Sequence, residues 1–346
     1  MSGQVSVHLR SCLYGLLRIA LRCPEPEGLR VQLTLMTDED WRNLLTLSRE
    51  QAVSGLVYEA LSQLEGIVKV PEDVSLDLLM DASRIEHRSR HLQTLTESLI
   101  GALREKGLHP VIMKGPSAAD MYPVPALRVS GDIDLFLPPA EVPTARAFLA
   151  HSYGKASSAA DGSLHFMAHG CDIDLHSRYY DLSANEKDLP EVPSPEATIL
   201  MLSAHILKHA MGPGVGLRQI CDMAMASRSL RGKFDHDFLR KYFRVSGTIA
   251  WNRMLASMIH ARLGLDTGFF PGKKDRYFLP LERIVFAGGN FGHHDKGRKK
   301  ALFRSAKLRK VDTAFRFLLR IPFSLRYAPK EYTRYLISLL KGNLSL

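Results

Sequence analysis

The chain has 346 residues, 45% hydrophobic and 24% charged, which excludes disorder as its main character and leaves room for two or three packed units. Lys and Arg (46) exceed Asp and Glu (36), a formal charge of +10; this suits a phosphate-bearing partner, whether nucleotide, nucleic acid or anionic membrane, without choosing among them. Four scattered cysteines with no CxxC spacing exclude a disulfide framework and a cysteine zinc site and fit a reducing, cytoplasmic setting, and no apolar run approaches the roughly 20 residues needed to span a bilayer.

In chain order, Val5 to Leu21 reads as an amphipathic helix; Arg10 and Arg18 break the continuous apolar core that a secretory signal needs. Trp41, Leu44, Leu45 and Leu47, then Val53, Leu56, Val57 and Leu61, recur at helical spacing up to Pro71. A second long helix carries the stripe Leu92, Leu95, Leu99, Ile100, Leu103 and ends at Lys106-Gly107. His109 to Met113 reads as a short buried strand, followed by the turn Lys114-Gly115-Pro116-Ser117 and a short helix to Tyr122. Ser130 to Leu137 has strand character and stops at Pro138-Pro139; Val142 to Tyr153 is helical; Leu164–Ala168 and Cys171–His176 flank a hairpin turn at His169-Gly170. Helices return from Ser194 to about Leu265, opened by Ser194-Pro195-Glu196. The expected organisation is an N-terminal helical region (1–106), an α/β core (107–182), a C-terminal helical region (183–270) and a basic helical tail (271–346).

Residues two apart in a strand share a face, so Asp132 and Asp134 point one way and Ile133 and Leu135 the other. The hairpin strand repeats the pattern, with Asp172, Asp174 and His176 alternating with Ile173 and Leu175. Adjacent carboxylates on one rigid face repel and need a counter-charge, which a hard divalent cation supplies through oxygen ligands. If the two strands pair, Asp174 completes a two-metal site for Mg2+ or Mn2+, one metal activating a hydroxyl and the other clamping a triphosphate. Asp174 then also suits the nucleophile's proton. The turn Lys114-Gly115-Pro116-Ser117 offers a close backbone approach and helix-end amides to a phosphate, with Lys114 adding charge and Ser117 a hydroxyl; an ordinary strand-to-helix turn has the same outline.

The run Val111-Ile112-Met113-Lys114-Gly115, then Tyr122-Pro123, then Arg128 and Asp132-Ile133-Asp134-Leu135 resembles the uncharacterised nucleotidyltransferase family of the polymerase-beta-like superfamily. Asp174-Leu175-His176, the histidine-bearing helix Leu202 to His209, and Gly216 to Asp222 resemble its later elements, so the likeness covers about residues 35–265. The resemblance implies an α+β fold, a mixed α/β nucleotidyltransferase core with N-terminal and C-terminal helical additions. It implies Asp132 and Asp134 as metal ligands, Asp174 as the third carboxylate, and Gly115 and Ser117 in the phosphate-binding turn. Where the superfamily shows Gly-Ser, this chain has Lys-Gly-Pro-Ser, which leaves part of the triphosphate contact to Lys114.

Other candidates stay open between site and scaffold. Arg128 suits either a phosphate contact or an ion pair. His205 and His209, four apart on one helix face, suit a polar wall of the nucleotide cleft together with Lys208, Arg218 and Asp222; a zinc site would need a third ligand. His165 and His169 read as surface residues, and His176 as a partner of Asp174 or of substrate. The basic segments Gly292 to Lys310 and Phe315 to Leu340 fit RNA phosphates, an anionic membrane surface, or a helical tail packed on the body. The resulting expectation is an enzyme that moves an NMP from an NTP, ATP included, to a hydroxyl on an RNA end or small molecule, releasing pyrophosphate. The alternative is a non-catalytic nucleotide-binding or partner-binding module of the same fold.

Overall fold

The computed structural model describes residues 6–158, 162–270, 276–290 and 315–340. Five helices open the chain: α1 (Val7–Ala20), α2 (Leu29–Thr34), α3 (Asp38–Glu50), α4 (Ser54–Ser62) and the 34-residue α5 (Glu72–Glu105). Capping explains where several begin. The Thr37 hydroxyl and the Asp40 carboxylate form a reciprocal capping box at α3. Helix α5 starts directly after Pro71 and stops at Lys106, where Gly107 takes the left-handed φ of +74°.

A five-stranded mixed sheet follows, in the order β1-β2-β5-β4-β3. Its strands are β1 (Val111–Ile112), β2 (Asp132–Phe136), β3 (Ser157–Ser158), β4 (Leu164–Ala168) and β5 (Cys171–His176), with the short α6 (Pro116–Ala119) after β1 and α7 (Val142–Tyr153) after β2. β1 and the first helix after it are shorter than the sequence suggests; the Met113 amide still donates to the Asp134 carbonyl at 3.0 Å before the chain enters the Lys114 turn. β2 and β5 run parallel, the other pairs antiparallel. His169 and Gly170 both have positive φ (48° and 74°), the conformation a two-residue hairpin requires. Arg88 of α5 donates to the carbonyls of Gly131 and Gly170 at 2.9 and 3.0 Å, tying the start of β2 to that turn.

One sheet face is apolar. Ile133, Leu135, Phe166, Ile173 and Leu175 pack with Leu92, Leu95, Leu99 and Leu103 of α5 and with Ala145 and Leu149 of α7. A second, larger core is helical. It joins Leu13 and Leu17 of α1 and Trp41 of α3 to α8 (Pro195–Met211), α9 (Leu217–Ser229), α10 (His236–Val245), α11 (Ile249–Met258) and α12 (Leu279–Gly288). It also takes in Phe317, Tyr327 and Tyr335 from the C-terminal segment. Helix α5 enters both cores, through Val74 and Leu78 at one end and Leu92 to Leu103 at the other.

The C-terminal helices Ile321–Tyr327 and Pro329–Leu340 therefore pack on the body with one face, while Phe315, Leu318, Leu319, Leu325 and Ile337 stay exposed. Glu331 accepts from the Ser183 amide and hydroxyl (2.7 and 2.6 Å), and Asp181 accepts from Lys208 (3.0 Å), Arg334 (2.8 Å) and the Tyr335 hydroxyl (3.0 Å). Residues 292–310, the denser basic run, lie outside the described residues. No helix among the described residues is long and apolar enough to cross a membrane.

Candidate active site

The apolar sheet face forces the alternate residues onto the other side, and the strand pairing decides which of them meet. Parallel pairing sets Asp132 beside Asp172, Asp134 beside Asp174 and Phe136 beside His176. Antiparallel pairing then sets His165 of β4 beside Asp174. A polar row, Asp134–Asp174–His165, runs across three strands.

Asp134 is the centre of this row and its side chain is 0% exposed. Its Oδ1 accepts from Lys114 Nζ at 2.9 Å and lies 3.0 Å from His176 Nε2, while Oδ2 is buried with no hydrogen-bond partner. Burial pushes this carboxyl upward, but the Lys114 ammonium and His176 outweigh it and hold it at about 2. Asp134 is therefore an anion with one coordinating oxygen left over. Burial, then repulsion from Asp134, raises the carboxyls of Asp132 and Asp174 above their ordinary value; Lys114 and Arg218 oppose this at Asp132, and His165 at Asp174. At Lys114 burial acts to lower the ammonium, yet Asp134 and Asp132 raise it overall.

The residues present fit a divalent cation. Asp134, Asp174 and His176 each bring one ligand atom within 4.8 Å of the other two, and the orphaned Oδ2 of Asp134 is the kind of buried donor that a metal satisfies. Of the three carboxylates expected as ligands, Asp134 and Asp174 come together with His176 in that trio; Asp132, half-buried one pleat away, is not part of it. His165 corrects the sequence reading. It is not a surface bystander, because its Nδ1 hydrogen-bonds Asp174 Oδ1 and its Nε2 lies 3.4 Å from the Ser163 hydroxyl. His169 is exposed, as read.

The Lys114 turn closes one side of the row. Gly115 has φ +74° and ψ −114°, and a Cβ there would stand 2.8 Å from the Asp132 carbonyl oxygen. Only glycine lets the turn lie this close to β2. Ser117 is half-buried in the first turn of α6, whose first backbone hydrogen bond runs from the Ala119 amide to the Gly115 carbonyl. The amides of Ser117 and Ala118 thus precede the helical ladder.

The remaining candidates form the wall behind. Arg128 donates to both carboxylate oxygens of Asp222 (2.8 and 2.7 Å) and to Ser130 (2.7 Å), and the Tyr122 hydroxyl adds a third bond to Asp222 at 2.7 Å. With Arg128 4% and Asp222 6% exposed, the ion pair is the arrangement the structure shows, and neither side chain lines an open cleft. Burial would raise the Asp222 carboxyl, but Arg128 outweighs it and holds it below the usual range. Arg218 donates to the Val129 carbonyl at 3.0 Å; burial, then Arg128, lowers its guanidinium. The rings of His205 and His209 meet edge to face at 4.5 Å. Burial first, then Lys114 at His205 and Lys208 at His209, pushes both well below 6.5, so they are neutral. Among the described residues no third ligand joins this pair.

The family model described as uncharacterised nucleotidyltransferase matches residues 37–263, which takes in every residue named above in the site and its wall. No curated protein and no solved structure matches the chain.

Proposed function

The chain belongs to the uncharacterised nucleotidyltransferase family, and from that premise we propose that it transfers an NMP from an NTP to a hydroxyl, with Asp132, Asp134 and Asp174 as the reacting carboxylates. The observation that carries this reading is the buried Asp134, with one oxygen unpartnered, paired in register with Asp174 and approached by Lys114. Asp134 and Asp174 would hold a divalent cation, Mg2+ or Mn2+, and Asp132, outside the trio, would serve the second cation of a two-metal site. When bound, such a cation neutralises triphosphate charge and eases loss of the hydroxyl proton.

This chain's own residues supply the rest. Lys114, the Ser117 hydroxyl and the amides of Ser117 and Ala118 would receive phosphate oxygens, brought close by Gly115. Asp174, whose carboxyl is raised by burial and by Asp134, would accept the proton of the acceptor hydroxyl. The acceptor oxygen forms a bond to the α-phosphorus, the bond to the bridging oxygen breaks, and pyrophosphate leaves. Arg218, His205 and His209 would shape the nucleotide side of the cleft, and Arg128 with Asp222 would keep the wall in place. An RNA end or a small molecule fits as acceptor, the formal charge of +10 favouring RNA. The four free cysteines suit a reducing, cytoplasmic setting.

Label transfer from each of the four α-labelled NTPs, with Mg2+ or Mn2+, into fractionated cell extract tests the reading. Wild type should label a species that Asp132→Ala/Asp134→Asn, shown folded by circular dichroism, does not. A folded double variant with undiminished transfer would sink the assignment. NTP binding with no transfer to any fraction would instead support the non-catalytic module.

A further inference from the structure

We infer that the cation site of this protein is a mixed nitrogen–oxygen site, with His176 Nε2 as a direct ligand beside Asp134 and Asp174, and that it takes a first-row transition-metal cation in preference to Mg2+. This rests on the metal-dependent reading above and deepens it.

Three observations carry it. The ligand atoms of Asp134, Asp174 and His176 lie within 4.8 Å of one another, a reach that excludes Asp132. The Asp134 side chain is fully buried and keeps Oδ2 without a hydrogen-bond partner, so one carboxylate oxygen of the trio has a lone pair free for a cation. His176 Nε2 lies 3.0 Å from Asp134 Oδ1, so this nitrogen, rather than the ring's far side, faces the carboxylates. β5 fixes that aim, since His176 and Asp174 are two apart on one face and Leu175 between them is buried in the sheet core.

The ligand set decides the metal. Mg2+ takes oxygen donors and dehydrates reluctantly. Imidazole is a softer donor and suits later divalent metals, for which affinity at mixed nitrogen–oxygen sites rises along the first transition row. Two carboxylates and one neutral imidazole therefore discriminate against Mg2+. Lys114 on Asp134 Oδ1 acts in the same direction, because it offsets negative charge that a purely electrostatic Mg2+ site would use. His165, bonded through Nδ1 to Asp174, orients that ligand rather than replacing it.

Mn2+ is the probe, with electron paramagnetic resonance as readout, which is independent of turnover. Protein with 15N-labelled histidine, given stoichiometric Mn2+ alone, should show a hyperfine coupling to one histidine nitrogen. His176→Ala should lose the coupling, while His165→Ala keeps it. Competition read from the free Mn2+ signal should show Mg2+ binding at least about tenfold more weakly than Mn2+ in wild type, a gap that narrows in His176→Ala. Mn2+ bound with no nitrogen coupling, a coupling that survives His176→Ala, or no Mn2+ bound would each overturn the inference. Label transfer run on the same samples separates the two claims. Metal-dependent transfer without nitrogen coupling leaves the transferase reading intact and removes only the imidazole ligand. Coupling without any transfer removes the transferase reading.

Discussion

Asp222 accepts three hydrogen bonds from side chains that come from other parts of the chain, two from Arg128 and one from Tyr122. All three residues are buried. Replacing one member leaves the others' charge or polar groups uncompensated, which costs far more than the pair contributes as a whole. Asp222→Ala should therefore lower unfolding stability by about 3–5 kcal/mol in urea titration. Arg128→Met/Asp222→Leu should lose clearly less than the sum of the single variants, and additive losses would argue that the pair is not coupled. Gly115→Ala tests a different kind of constraint. A side chain at φ +74° that also meets the Asp132 carbonyl at 2.8 Å should cost about 1–3 kcal/mol. Because it pushes on the strand that carries Asp132 and Asp134, activity should fall by more than stability alone explains. His205 and His209 set the acid limit. Burial holds both folded-state values well below 6.5, so below that pH the unfolded chain takes up protons that the folded chain does not. Stability should then fall as pH drops through about 6.5, by up to about 1.4 kcal/mol per pH unit for each histidine. Comparing urea midpoints at pH 7.5 and 5.5 with those of His205→Gln/His209→Gln checks this; an unchanged pH dependence in the variant would remove these histidines as the cause.

At the scale of elements, α5 ties the two cores together, so a cavity in its sheet-facing half bears directly on the site. Leu99, 1% exposed beneath the strands, should cost about 2–5 kcal/mol as Leu99→Ala, measured by thermal unfolding with and without NTP. The elements themselves were largely legible. The β4–β5 hairpin has the bounds its alternation suggests, since period-two patterning and a positive-φ turn are local signals. So was the shared face of Asp132 and Asp134, which follows from the strand period alone. His165 could have been found the same way. It stands four residues before His169, and Asp174 stands four after Gly170, so a two-residue turn must set them opposite each other. What the sequence could not give is non-local. The pairing of β1 with β2 brings Lys114 to Asp134, and a helix 94 residues away brings Asp222 to Arg128. Neither partner carries a local signal that names the other, and the trio's preference for His176 over Asp132 depends on distances across the sheet.

For the whole molecule, the helical core makes the ends of the chain interdependent. Phe317 and Tyr332 stack at 4.6 Å, Phe323 packs edge-on against Trp251 of α11, and Tyr335 is 2% exposed. Glu331, 1% exposed, and Asp181 then fasten the last described helix to the segment after β5, the strand that carries Asp174 and His176. Burial would raise the Asp181 carboxyl, but Lys208 and Arg334 outweigh it and hold it well below the usual range, so the fastening persists at neutral pH and is lost only in strong acid. A basic tail that worked as a separate adaptor would be removable without harm to the rest. Here, ending the chain after residue 270 strips Leu281, Ile284, Val285, Phe317 and Tyr335 from the core, and the product should be insoluble or lose its cooperative unfolding transition. Because failure to fold could be blamed on the size of the cut, Glu331→Gln is the finer measure. It keeps the shape but weakens two bonds to Ser183 and the pair with Arg334, and should cost about 1–3 kcal/mol. A truncated chain with wild-type melting behaviour and label transfer would show instead that residues after 270 are an appendage.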